Sequence, residues 1–145
     1  MSELVGARPP GWFRLFSVIG LLWNLFGVTL YLQKVGLFGD PLAGLSDAER
    51  ALAESVPAWV TGAFAIAVFS GLFGAVGMVL LKKWALPLLV VSLLGILAQC
   101  GWIVFASEAS EVHGPIGIAM PVLITLIAIL LVWLARTGSK RGWLG

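Results

Sequence analysis

A chain of 145 residues is enough for one domain and no more. Sixty per cent of it is apolar and 11% charged, where soluble domains carry roughly 45–50% and about 25%. Nine basic and seven acidic side chains cannot cover so small a water-soluble fold, and with no basic stripe among them a nucleic-acid interface is excluded.

Charged residues divide the chain into four apolar stretches. A hydrocarbon core about 30 Å thick needs roughly 20 helical residues. The first stretch, 15–33, holds 19 uncharged residues between Arg14 and Lys34. Its apolar run from Leu15 to Leu32 exceeds a signal-peptide core of about 7–15 residues. Its exit, Tyr31-Leu32-Gln33-Lys34, offers no small-residue cleavage pattern. A retained span over about 13–35 is therefore expected.

The following loop, about Gly36 to Pro57, has room for structure. Ser46-Asp47-Ala48-Glu49 fits a capping box, a hydroxyl followed three residues on by a carboxylate. Leu45, Ala48, Leu52 and Val56 then recur at helical spacing. The pattern predicts a short amphipathic helix over about 46–56, lying on the membrane surface as a lid.

The second span is expected over about 57–81, opened by Pro57. Ala63, Ala67, Gly71 and Ala75 recur every four residues, with Ser70 and Gly74 on the adjoining row. Such rows let helix backbones approach closely. They serve either packing inside one bundle or contact with another subunit. Lys82-Lys83 leaves space only for a tight antiparallel turn before the third span, about 84–106. Pro87 falls in its first turn, where proline is tolerated. Cys100, the single cysteine, is expected to pack as a small apolar residue. A short acidic turn from Ser107 to Pro115 leads to the fourth span, about 115–136. Pro121 removes a backbone donor inside that span and predicts a kink. The fold class is thus an all-α integral membrane four-helix bundle, up-down-up-down, in one domain.

Orientation follows from basic residues. Arg8, Arg14, Lys82, Lys83, Arg136, Lys140 and Arg141 fall on one side with Glu3, seven positive and one negative, net +6. Lys34 and Arg50 fall on the other with Asp40, Asp47, Glu49, Glu54, Glu108 and Glu111, two positive and six negative, net −4. Both termini are expected in the cytoplasm. Trp12, Phe13, Trp84 and Trp133 near the inner boundary, and Tyr31, Trp59, Trp102 and Phe105 near the outer one, agree with headgroup-level aromatic belts.

Chemistry is sparse. No Asp, Glu, Lys or Arg lies in the middle of a span, whereas ion-coupled transport usually uses intramembrane ionisable groups. His113 and Glu111 are too few for a metal site and make no acid–base constellation. No catalytic residue, metal site or cofactor is expected. Asn24 and Gln99 are the deepest polar groups, each four residues after a glycine (Gly20 and Gly95) in what reads as a faint duplication. An unpaired amide in hydrocarbon costs several kcal/mol, so each should pair within the bundle or contact a solute.

Leu22-Trp23-Asn24-Leu25-Phe26-Gly27, Pro57-Ala58-Trp59, Ala65-Ile66-Ala67-Val68-Phe69-Ser70-Gly71 and Lys82-Lys83-Trp84-Ala85 resemble a family of small bacterial inner-membrane proteins, some labelled "sugar transporter". The resemblance runs along nearly the whole chain and rests on packing and boundary residues. It implies a multi-pass protein of the bacterial inner membrane and raises transport as a function. The leading expectation is a non-enzymatic accessory or interaction subunit that associates, with itself or another membrane protein, through the small-residue face of span two. The alternative is a small-solute transporter or channel acting as an oligomer.

Overall fold

A computed structural model describes residues 8–107 and 109–145. It is all-helical among those residues. Four helices are long and apolar enough to cross a membrane: α1 (Gly11–Lys34), α3 (Ala58–Val79), α4 (Ala85–Phe105) and α6 (Ile116–Lys140). Two short helices, α2 (Asp47–Glu54) and α5 (Ala109–His113), join them at the end rich in acidic residues.

Pro10 and Pro57 precede α1 and α3, where a fixed φ suits a helix start and a missing N–H costs nothing. α2 begins as its sequence predicts. Ser46 Oγ accepts from the Glu49 N–H at 3.2 Å and donates to Glu49 Oε1 at 3.0 Å. Where the sequence suggested only a turn after α4, five residues form α5. α6 runs one turn past the expected end at residue 136, so Lys140 rides on helix as Arg136 does.

The helices end alike. In α1, α3 and α6 the last turn closes with a six-to-one bond: Leu37 N to Leu32 O at 3.0 Å, Lys82 N to Gly77 O at 2.8 Å, and Trp143 N to Gly138 O at 2.8 Å. In these three a residue with a left-handed backbone completes the closure. Gly36 and Gly142 supply it at φ 87° and 76°, but after α3 the position is Leu81, at φ 59°. A leucine there costs about 1–2 kcal/mol. Its side chain packs against the core cluster, and its carbonyl accepts from the Gly145 N–H at 2.8 Å. Lys83 N in turn donates to Gly145 O at 2.9 Å. The segment after α6 therefore clasps the α3–α4 turn.

That clasp belongs to a plug at the basic end. Phe13, Met78, Ala85, Leu134, Ala135 and Leu144 are buried together, with Leu89 and Leu131 one layer deeper. Trp143 leans on Phe13 at 5.0 Å between ring centroids and meets Trp12 edge-on at 5.8 Å. The Arg141 guanidinium lies over the Trp143 ring at 5.5 Å. Away from the plug, large apolar side chains point outward. Leu22, Phe26, Phe73, Leu94 and Leu126 are each more than half exposed, the pattern of helices whose outer faces meet lipid rather than water.

Glycines mark where backbones touch. A Cβ on Gly95 would lie 2.9 Å from Ala63 O and 3.2 Å from Ala67 N. One on Gly74 would lie 2.7 Å from the Leu89 side chain, and one on Gly77 2.8 Å from Trp84. These pairs climb α4 as they descend α3, so the two helices form an antiparallel hairpin. Gly27 against Val68 and Asn24 against Gly71 pair α1 with α3 in the same sense. Gly20 meets Leu131, and Gly138 meets Phe13, across α1 and α6.

Candidate functional site

The small-residue row of α3 is spent inside the chain. Ala67, Gly71, Gly74 and Ala75 are buried, and Ala63 and Ser70 are partly so. Ala63 and Ala67 receive Gly95 of α4, Gly71 receives Asn24 and Ser92, and Gly74 receives Leu89. Of the two roles the sequence allows for this row, packing inside one bundle is the one these contacts describe. With no side chain beyond Cβ at most positions, the row admits its own neighbours closely. Replacing Gly71 and Gly74 by leucine would break the bundle before it could report on association.

The two amides also part company. Asn24 is 9% exposed and donates from Nδ2 to Gly20 O at 2.8 Å, one turn back on its own helix, while its oxygen lies against Gly71. Beside it Ser92 Oγ donates across the helix interface to Ala67 O at 2.6 Å. Ser92 escaped the sequence reading, because one hydroxyl in an apolar run looks like any other small residue. Only a void of about 10 Å³ remains near these groups. Among the described residues no buried side-chain polar atom lacks a hydrogen-bond partner. The middle of the bundle is closed. Ser92→Ala is expected to cost about 0.6 kcal/mol, the mean for interhelical hydrogen bonds in a membrane. Thermal unfolding in detergent checks this, and a loss above about 2 kcal/mol would mean Ser92 holds more than one bond.

Gln99 has a different neighbourhood. Three helical turns nearer the basic end the core is packed, but at Gln99 the acidic end opens into a recess of about 490 Å³. Its floor and far wall come from α4 (Gln99, Trp102, Ile103) and α6 (Gly117, Met120, Pro121). Leu45, Leu52 and Val56 form the α2 side, and Lys34 and His113 stand at its edge. A second, smaller recess of about 400 Å³ also borders Lys34, sharing Ala53 and Val56 with the first. The volume of the larger falls within the roughly 300–1,000 Å³ of small-molecule sites.

Local sequence explains the opening. Gly117 contributes no side chain, and Pro121 has no N–H to give the Gly117 carbonyl, its partner one turn back. Both residues border the recess. Thr125 Oγ1 donates to Pro121 O at 2.8 Å and steadies the turn beyond. α2 and α5 touch one another, and α5 touches α4 and α6.

The polar groups of the recess are few and differently engaged. The Glu49 carboxylate accepts from Ser46 Oγ at 3.0 Å. Lys34 lies with Nζ 5.8 Å from the centroid of the Phe64 ring, at the head of an aromatic row in which Tyr31 meets Phe64 at 5.5 Å and Phe69 at 5.7 Å. No carboxylate among the described residues lies within ion-pair distance of Lys34. The Gln99 amide makes no hydrogen bond within the chain among those residues. No group of three or more His, Cys, Asp or Glu side chains among them is placed to hold a metal ion. The recess can enclose an apolar body and meet it with one ammonium and one amide.

No protein-family model, curated protein or solved structure matches this chain.

Proposed function

We propose that this chain is a non-enzymatic, multi-pass protein of the bacterial inner membrane that holds a small amphipathic molecule in its acidic-end recess, as an accessory component rather than a conduit. In this reading the four spans run up-down-up-down, with the N-terminus and C-terminus in the cytoplasm and the recess on the opposite side. The charge distribution, net +6 against −4, and the antiparallel helix contacts support that arrangement.

One observation carries the functional reading: the bundle is open at one end and plugged at the other. A binding site needs one mouth, and a solute pathway needs two. Phe13, Trp143 and Leu144 fill the basic end, and Asn24, Gly71 and Ser92 close the middle. The walls also argue against a sugar, whose hydroxyls call for many polar partners; leucine, isoleucine, valine and methionine dominate here.

The test uses the full chain in phosphatidylcholine nanodiscs with a photoreactive dodecanol. Cross-links are expected on the peptides holding Trp102 and Met120. Ala53→Trp, at an exposed position bordering both recesses, should reduce them at least fivefold without lowering the unfolding temperature. Labelling spread over the lipid-facing surface and indifferent to Ala53→Trp would overturn the proposal.

The second reading, solute transport by an oligomer, is favoured by Gln99 alone, a polar group in a recess. It predicts solute flux through proteoliposomes that Ala53→Trp abolishes. Absence of flux with recess labelling intact would leave the binding role.

A further inference from the structure

The geometry points to the class of molecule the recess takes: a single-chain amphiphile with an anionic headgroup, drawn from the leaflet at the acidic end and met by Lys34. This rests on the reading of the recess as a binding site and adds the headgroup and the source.

Lys34 is the last residue of α1, half-buried, with its methylene stem along the recess and its ammonium against only the face of Phe64. A ring face compensates a cation weakly compared with a carboxylate or phosphate oxygen. Other charges nearby do not complete it. Glu49 borders the same recess, but its carboxylate accepts from Ser46 Oγ, which in turn accepts from the Glu49 backbone N–H, and no ion pair forms between Glu49 and Lys34. Arg50 Nη2 donates to Leu42 O at 3.2 Å, which ties it to the loop. Asp40 accepts from Leu42 N at 2.9 Å. Among the described residues Lys34 is thus the one lysine or arginine lining either recess, and it borders both. A ligand anion there would gain a charge-assisted bond, with the Gln99 amide as a second donor deeper in.

The source follows from the rim. Ile116 is 62% and Met120 44% exposed on the lipid-facing side of α6, yet both border the recess. Its apolar wall therefore continues onto the surface that acyl chains cover. The short helices at this end carry Asp47, Glu49 and Glu54 on α2 and Glu111 on α5, a net negative field that repels dissolved anions. An anion arriving in the membrane plane, carried by its own chain, avoids that field.

Competition against the photoreactive dodecanol tests this at mildly alkaline pH, with dodecanoate, dodecanol and dodecyltrimethylammonium as competitors of one chain length. Dodecanoate should compete about tenfold better than dodecanol, the effect of one hydrogen bond to a charged group, and the ammonium compound worse than either. Lys34→Gln should erase the advantage of dodecanoate and leave dodecanol unchanged, while Lys34→Arg should keep it. Equal competition by the carboxylate and the alcohol, preference for the ammonium, or an advantage surviving Lys34→Gln would each overturn the anionic assignment. Failure of dodecanol itself to label the recess would instead overturn the binding function on which the assignment rests.

Discussion

Gly95→Ala should lower the unfolding temperature of the purified protein by several degrees, whereas Gly62→Ala and Gly101→Ala should leave it unchanged or raise it. All three glycines lie within transmembrane helices, and alanine is the better helix former by up to about 1 kcal/mol. The neighbours decide the sign. A Cβ at 62 or 101 meets nothing within 4 Å, but at 95 it meets Ala63 O, Ala67 N and Ala67 Cα between 2.9 and 3.3 Å. These are backbone atoms of a helix and cannot rotate aside. Overpacking of this kind costs about 1–3 kcal/mol, and Gly95→Leu should prevent the α3–α4 pairing. A Gly95→Ala protein as stable as the Gly62→Ala protein would show that the hairpin is looser than described.

The plug should be the other sensitive point. Phe13 is fully buried and Leu144 is 1% exposed, although each lies far from the middle of the bundle. Lipid is itself apolar, so truncation in a membrane protein loses packing contacts more than hydrophobic transfer. Even so, the residual cavity makes Leu144→Ala worth about 2–3 kcal/mol and Phe13→Ala about 3 kcal/mol or more. Both side chains approach Gly138, so the double variant should lose less than the two single losses together. Leu144→Ala should also speed hydrogen exchange at the Lys83 and Gly145 amides, which the clasp protects. Additive losses with unchanged exchange would mean the two residues stabilise separate parts.

The four spans were legible because the spacing of sixteen charges is a one-dimensional signal that the bilayer reads directly. So was α2, where Ser46 and Glu49 satisfy the helix start through bonds three residues apart. The fate of the α3 row was not, because small residues at intervals of four say that something approaches but not what. Gly95 and Asn24, on other helices, supply the answer. Nor could Asn24 and Gln99 be told apart. Both follow a glycine by four residues, but Gly20 lies where its carbonyl takes the Asn24 amide, whereas Gln99 falls where α6 has Gly117 and Pro121 and leaves room. The recess belongs to five separated segments, and no single stretch announces it. The clasp was hidden for a related reason: Trp143 and Leu144 follow the last basic residues, and no local pattern there names a partner.

Closure of the plug fixes an order on biogenesis. Phe13 leaves the ribosome more than a hundred residues before Leu144, and Gly138 lies between their side chains. While the translocon is releasing the first three spans, the aromatic face around Trp12 and Phe13 has no partner from its own chain. Leu81 must also hold its left-handed backbone without the Gly145 bond. Only after the fourth span has been threaded can the seam be sealed, so a stalled nascent chain would present that face to whatever insertion factor stands beside it.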